Sequence, residues 1–91
     1  MNARVAVLIP CHDDGELVAE AVHSIAETEP VETIVVDDAS TDATTHATLA
    51  ALEAEGVRVV RLPENAGVAA ARTIALRETR APYVKDPLRV T

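Results

Sequence analysis

Apolar residues come in short blocks along the chain, and the spacing inside successive blocks alternates between two patterns. Residues 4–10 (Arg-Val-Ala-Val-Leu-Ile-Pro) form a nearly continuous apolar run closed by a proline. A strand buried on both faces reads this way. Over 15–27 the period lengthens. Leu17, Ala21 and Ile25 fall at i, i+4 and i+8 with Val18 and Val22 beside them, while Glu16, Glu20 and Glu27 mark a wet side. That spacing predicts an amphipathic helix, with Pro30 beyond its end.

The pair of patterns then repeats. Residues 33–36 predict a second buried strand, ending in Asp37-Asp38. Ser40, Thr41 and Asp42 are good N-cap types, and a helix through Leu49 and Leu52 is expected to close at Gly56, a C′ residue. Residues 57–62 predict a third strand, followed by a turn at Pro63-Glu64-Asn65. A third helix starts near Gly67, turns Val68, Ala71, Ile74 and Ala75 inward, and ends by Pro82. Tyr83-Val84 open a fourth strand, which Lys85-Asp86-Pro87 interrupts, because proline has no N–H for a sheet ladder. Parallel strands need crossovers of this kind, and their right-handed sense puts helices on both faces. The class is therefore α/β with a mainly parallel sheet.

Composition narrows the function. The chain has 91 residues, 48% of them hydrophobic, and Tyr83 is the only aromatic. That is enough for one small domain with a core of aliphatic side chains. With Cys11 as the single cysteine, an internal disulfide is impossible. The apolar run near the start is too short for a signal-peptide core, and no segment approaches the ~20 apolar residues of a membrane span, so a cytoplasmic location is expected. The net charge of −7 is unevenly spread: residues 1–45 hold ten acids and only Arg4, while 46–91 hold seven bases and five acids. Nucleic acid is thereby disfavoured as a partner, since its affinity comes largely from Lys and Arg on phosphates.

In open parallel sheets ligands bind beyond the carboxyl ends of the strands. The residues there are Pro10, Cys11, His12 and Asp13 after the first strand, Asp37 and Asp38 after the second, and 65–72 after the third. A carboxylate at a strand end can accept hydrogen bonds from a ribose hydroxyl or a uracil imide. The alternative is that one acid caps the next helix while the other is solvated. The small residues of 67–71 let a ligand approach a helix N-terminus, where free N–H groups favour phosphate. Arg72 could neutralise a diphosphate there, or be a surface charge. Cys11-His12-Asp13 reads as a loop, since catalytic triads are assembled in space rather than from adjacent residues. His23 and His46 fall on helix surfaces. A dinucleotide-binding glycine fingerprint and a P-loop are both absent.

In order, these pieces resemble glycosyltransferase family 2. Residues 5–10 with their polar loop resemble the family's opening strand. Residues 32–42 (Glu-Thr-Ile-Val-Val-Asp-Asp-Ala-Ser-Thr-Asp) resemble its second strand and acidic turn, and residues 61–72 its third strand, N-x-G turn and following helix. The resemblance covers residues 4–84. It implies a GT-A fold, here its Rossmann-like nucleotide-binding half, with four parallel strands in order 3-2-1-4. Helices 15–27 and 67–79 would lie on one face of that sheet or be split across both.

It also implies a nucleotide-sugar donor, most often a uridine diphosphate sugar, and an acceptor that is a glycan, a lipid or another molecule. Carried over by position, Pro10, His12 and Asp38 contact base and ribose, with Asp37 a further candidate and Arg72 on the diphosphate side. Ala39 replaces the usual glycine and Thr73 a frequent asparagine. After Tyr83-Val84 the family runs on to a D-x-D motif whose acids hold Mg²⁺ or Mn²⁺. This chain reads Lys85-Asp86-Pro87-Leu88 instead, so no metal site or catalytic residue is identifiable.

The expected division is a partial nucleotide-sugar-binding domain over 1–84 and a divergent tail over 85–91, with nucleotide recognition but no sugar transfer by these residues alone. Two further readings are a non-catalytic nucleotide-binding or interaction module and a receiver-like signalling domain. The receiver is disfavoured because its acid pair would end the first strand.

Overall fold

The two central strands carry the apolar runs, and helices cover both of their faces. The computed structural model describes residues 5–26, 31–79 and 83–85. It has β1 (Val5–Cys11), α1 (Gly15–Ala26), β2 (Glu32–Asp37), α2 (Ala43–Ala54), β3 (Arg58–Arg61), α3 (Gly67–Glu78) and β4 (Tyr83–Lys85). The strands form one sheet in the order β3-β2-β1-β4, with every pairing parallel. The α/β reading of the hydrophobic pattern therefore holds.

Alternation along the strands sorts their side chains into two cores. Val7, Ile9, Cys11 and Val35 point to one face and meet Val18 and Val22 of α1 and Leu49 and Leu52 of α2. Ala6, Leu8, Ile34 and Val36 point to the other and meet Ala71 of α3. The helices are thus split across the two faces. Both faces of β1 and β2 are dry, which is why these strands read as continuous apolar runs rather than alternating ones.

Three expectations need correction. Leu17 is 67% exposed, while the buried stripe of α1 runs through Gly15, Val18 and Val22 with Ile25 partly covered. A stripe of i, i+3, i+7 fits the helical period as well as i, i+4, i+8, and packing chose the former. Second, β1 does not stop at Pro10 but runs through it to Cys11. The Cys11 carbonyl accepts from Asp38 N–H on the β2 side. Alternation therefore turns Pro10 toward the opposite edge, where among the described residues β4 pairs with Val5–Val7. The proline therefore removes no N–H from the β1–β2 ladder. Third, the alternative that one acid of the pair is solvated fails, since Asp37 is 1% exposed and Asp38 is buried as well. The ends of α3 at Pro82, the inward placing of Val68 and Ala75, and the 86–91 tail lie outside the described residues or side chains.

Two glycine positions are set by geometry. Gly56, at φ 99°, closes α2: Val57 N–H donates to Leu52 O at 3.0 Å and Gly56 N–H to Glu53 O at 3.0 Å. This is the paired bonding of a Schellman C-cap, which the sequence signalled. Gly15 lets α1 touch α2, since a Cβ there would sit 2.9 Å from Thr45 Cα.

Candidate functional site

The carboxyl ends of β1, β2 and β3 are tied together by one residue. Asp38 follows β2 and is buried. Its N–H donates to Cys11 O at 2.8 Å, and its carbonyl accepts from His12 Nδ1 at 2.7 Å. A carbonyl can only accept, so the His12 proton sits on Nδ1, and Nε2 lies 3.6 Å from Asp13 Oδ2. The Asp38 carboxylate reaches the loop after β3, where Oδ1 accepts Ala66 N–H at 2.7 Å and Oδ2 accepts Gly67 N–H at 2.9 Å. Asp38 therefore caps a helix, as the alternative reading allowed, but the helix is α3 and not the next one in the chain.

Asp37 holds the acidic turn from inside. Its Oδ1 accepts both the N–H and the hydroxyl of Ser40. The same hydroxyl accepts Asp13 N–H at 2.9 Å. Asp13 answers from the first loop, with Oδ1 accepting Thr41 N–H at 2.8 Å and Asp42 N–H at 2.9 Å. Those bonds, Asp42's first, hold the Asp13 carboxyl below its ordinary value of 3.8. A lowered acid stabilises the fold fully above its ordinary value. This anchor is therefore lost only as pH falls from 3.8 through the lower folded-state value. His46, on the surface as expected, places Nε2 2.6 Å from Ser40 O. Asp42 is the N-cap of α2, and its Oδ2 accepts Thr45 N–H at 3.0 Å.

Asp13 and Ala39 both adopt left-handed backbone, at φ 54° and 57°. Asp tolerates that region, whereas alanine has a Cβ in conflict with its own backbone. Ala39→Gly is accordingly expected to raise stability by about 0.5–1 kcal/mol, relief of strain outweighing the extra freedom of the unfolded chain. Urea denaturation checks this, and an unchanged or lower midpoint would contradict it.

The site candidates separate into one connected set and two outliers. His12, Asp37 and Asp38 share the network just described. Pro10 lies in β1 beside Val36, half-buried. Arg72 is half-buried on α3 next to Ala71, and no ion pair among the described residues uses it. Sequence reasoning missed the Asp13, Ser40 and His46 contacts, which join loops 27–29 residues apart or cross a helix start. The only sequence signal was the density of Asp, Ser and Thr in both loops, types that hydrogen-bond to nearby backbone.

Charge and burial limit the chemistry. Burial foremost, then hydrogen bonding to Asp14, pushes the Cys11 thiol up to about 12, so it is no nucleophile at neutral pH. A neighbouring cleft of about 420 Å³ is lined by Asp13, Asp14, Glu16 and Asp42 with Gly15, Leu17, Thr44 and Thr45. Four carboxylates make it a poor seat for a phosphate. Among the described residues, no group of three or more His, Cys, Asp or Glu side chains is placed to hold a metal ion. Nor is any described helix long and apolar enough to cross a membrane.

The chain is 38% identical over 82 residues to the succinoglycan biosynthesis protein ExoU of Rhizobium meliloti (strain 1021), covering 88% of this chain and 24% of that protein. It is 37% identical over 84 residues to the putative teichuronic acid biosynthesis glycosyltransferase TuaG of Bacillus subtilis (strain 168), covering 88% and 33%. The chain thus spans a quarter to a third of the length of these relatives. The profile of Glycosyl transferase family 2 matches residues 6–84, from within β1 to within β4. With that match over nearly all of the described fold, the chain belongs to glycosyl transferase family 2, a family of glycosyltransferases.

Proposed function

We propose that residues 1–84 recognise the nucleotide part of a nucleotide-diphosphate sugar, with uridine diphosphate sugars the favoured donors, for glycosylation of a glycan, lipid or other acceptor. The observation that carries this reading is the position of Asp38. It is a buried carboxylate at the carboxyl end of a central parallel strand, in contact with the loops after both neighbouring strands, where open α/β sheets bind ligands. In this reading the Asp38 carboxylate accepts from the ribose or the uracil imide, while Pro10 and His12 flank the base. Asp37 keeps the turn in shape through Ser40. Arg72 faces the diphosphate, since a free guanidinium suits phosphate oxygens.

A divalent cation, implied by the family resemblance, finds no ligand set among the described residues, and no step is assigned to it. The division of labour proposed for these 91 residues is recognition of the donor rather than transfer. Calorimetric titration with UDP, uridine and ADP tests the reading. UDP should bind, uridine should retain part of the affinity, and ADP should bind at least ten-fold more weakly. Equal binding of UDP and ADP would contradict nucleoside recognition, and no binding of either would leave a non-catalytic interaction module as the better account.

A further inference from the structure

Asp38 has more partners than a ligand contact needs. Each carboxylate oxygen already accepts one backbone N–H, from Ala66 at 2.7 Å and from Gly67 at 2.9 Å. A carboxylate offers about four acceptor sites in all, so one site per oxygen remains. A ribose hydroxyl or base N–H can reach this group only by sharing it with the turn. We infer that Asp38 is a positioning residue as well as a ligand contact, coupling the nucleoside site to the conformation of the turn at residues 65–67 that starts α3. This rests on the nucleotide reading above.

The coupling runs through parts that cannot move independently. Gly67 holds φ +85°, a conformation that L side chains rarely adopt, and it is the first residue of α3. That backbone angle sets how α3 leaves the turn whose two consecutive N–H groups one carboxylate holds. Arg72 is carried on the same helix, so the clamp also sets where the proposed diphosphate partner stands. On the other side, the Asp38 carbonyl fixes His12. A donor bound at Asp38 shifts the turn, and by linkage a disturbed turn weakens the donor equally.

Gly67→Ala isolates this effect, because a Cβ there has no neighbour within 4 Å. The substitution changes backbone preference and adds no clash. Affinity for UDP and for uridine, measured calorimetrically on samples shown to be folded by circular dichroism, should fall five-fold or more, the lower end of typical couplings. Gly67→Asn should recover most of the loss, since asparagine enters the left-handed region more readily. In the unsubstituted chain, uridine should shift the amide resonances of Ala66 and Gly67.

Uridine affinity within two-fold of the parent in Gly67→Ala would overturn the inference while leaving nucleotide recognition standing. A loss seen with pyrophosphate but not with uridine would overturn it as well, by making the turn a phosphate seat. Should Gly67→Ala fail to fold, the Asn variant and the two amide resonances decide. Unmoved resonances under saturating uridine would reject the coupling, and no UDP binding by the parent would reject both the coupling and the reading beneath it.

Discussion

Asp38→Ala is expected to weaken UDP binding ten-fold or more and to lower stability at the same time. Hydrogen bonds to a charged partner are worth about 1.5–3 kcal/mol, and ~1.4 kcal/mol is a factor of ten in affinity. Loss of one contact to the nucleoside is therefore enough for the affinity effect. The stability effect comes from the two N–H groups released at Ala66 and Gly67. Ala66 is exposed and Gly67 half-buried, so water can reach both. The cost is about 2 kcal/mol rather than the sum of two fully buried bonds. For a chain of this size that is a sizeable part of the roughly 5–14 kcal/mol available. Urea denaturation and calorimetry on the same samples separate the two effects. Unchanged UDP affinity in a folded Asp38→Ala protein would remove Asp38 from the site.

Gly15→Val should act on stability alone. Even an alanine Cβ at this position would lie 2.9 Å from Thr45 Cα and 3.3 Å from its side chain. A backbone atom cannot swing aside, so α1 and α2 must part. That breaks the 3.2 Å bond from Gly15 N–H to Thr45 Oγ1 and loosens Leu49 and Leu52, which are 0–1% exposed beneath it. Overpacking of this kind costs typically 1–3 kcal/mol, and the branched valine is expected at the upper end. The denaturation midpoint should fall steeply, with Gly15→Ala between parent and valine. A Gly15→Val protein as stable as the parent would mean that the helices do not cross where described.

Much of this architecture is legible in the residues because local signals agree with the fold. The dry runs of β1 and β2, the Asp42 N-cap and the Gly56 C-cap each follow from side-chain chemistry within a few positions. The choice of Val18 over Leu17 as the buried residue is not local. It depends on Gly15 resting against Thr45, 30 residues away. The burial of Asp37 is equally hidden, because its partner Ser40 is visible in sequence only as a capping candidate. The left-handed backbone at Ala39 has no signature in an alanine. Its only hint is the resemblance, in which glycine usually stands there.

Amide chemical-shift mapping of the 91-residue chain during a UDP titration tests the central claim most directly. The account predicts shifts concentrated at residues 10–13, 37–40 and 65–72, the carboxyl ends of β1, β2 and β3 with the start of α3. The opposite end of the sheet offers a control, a cleft of about 500 Å³ lined by Val22, Val31, Glu32, Thr33, Glu55, Gly56, Val57 and Arg58. Its amides should stay in place. Shifts confined to that cleft, or none at saturating UDP, would contradict the assignment of nucleotide recognition to the Asp38 end.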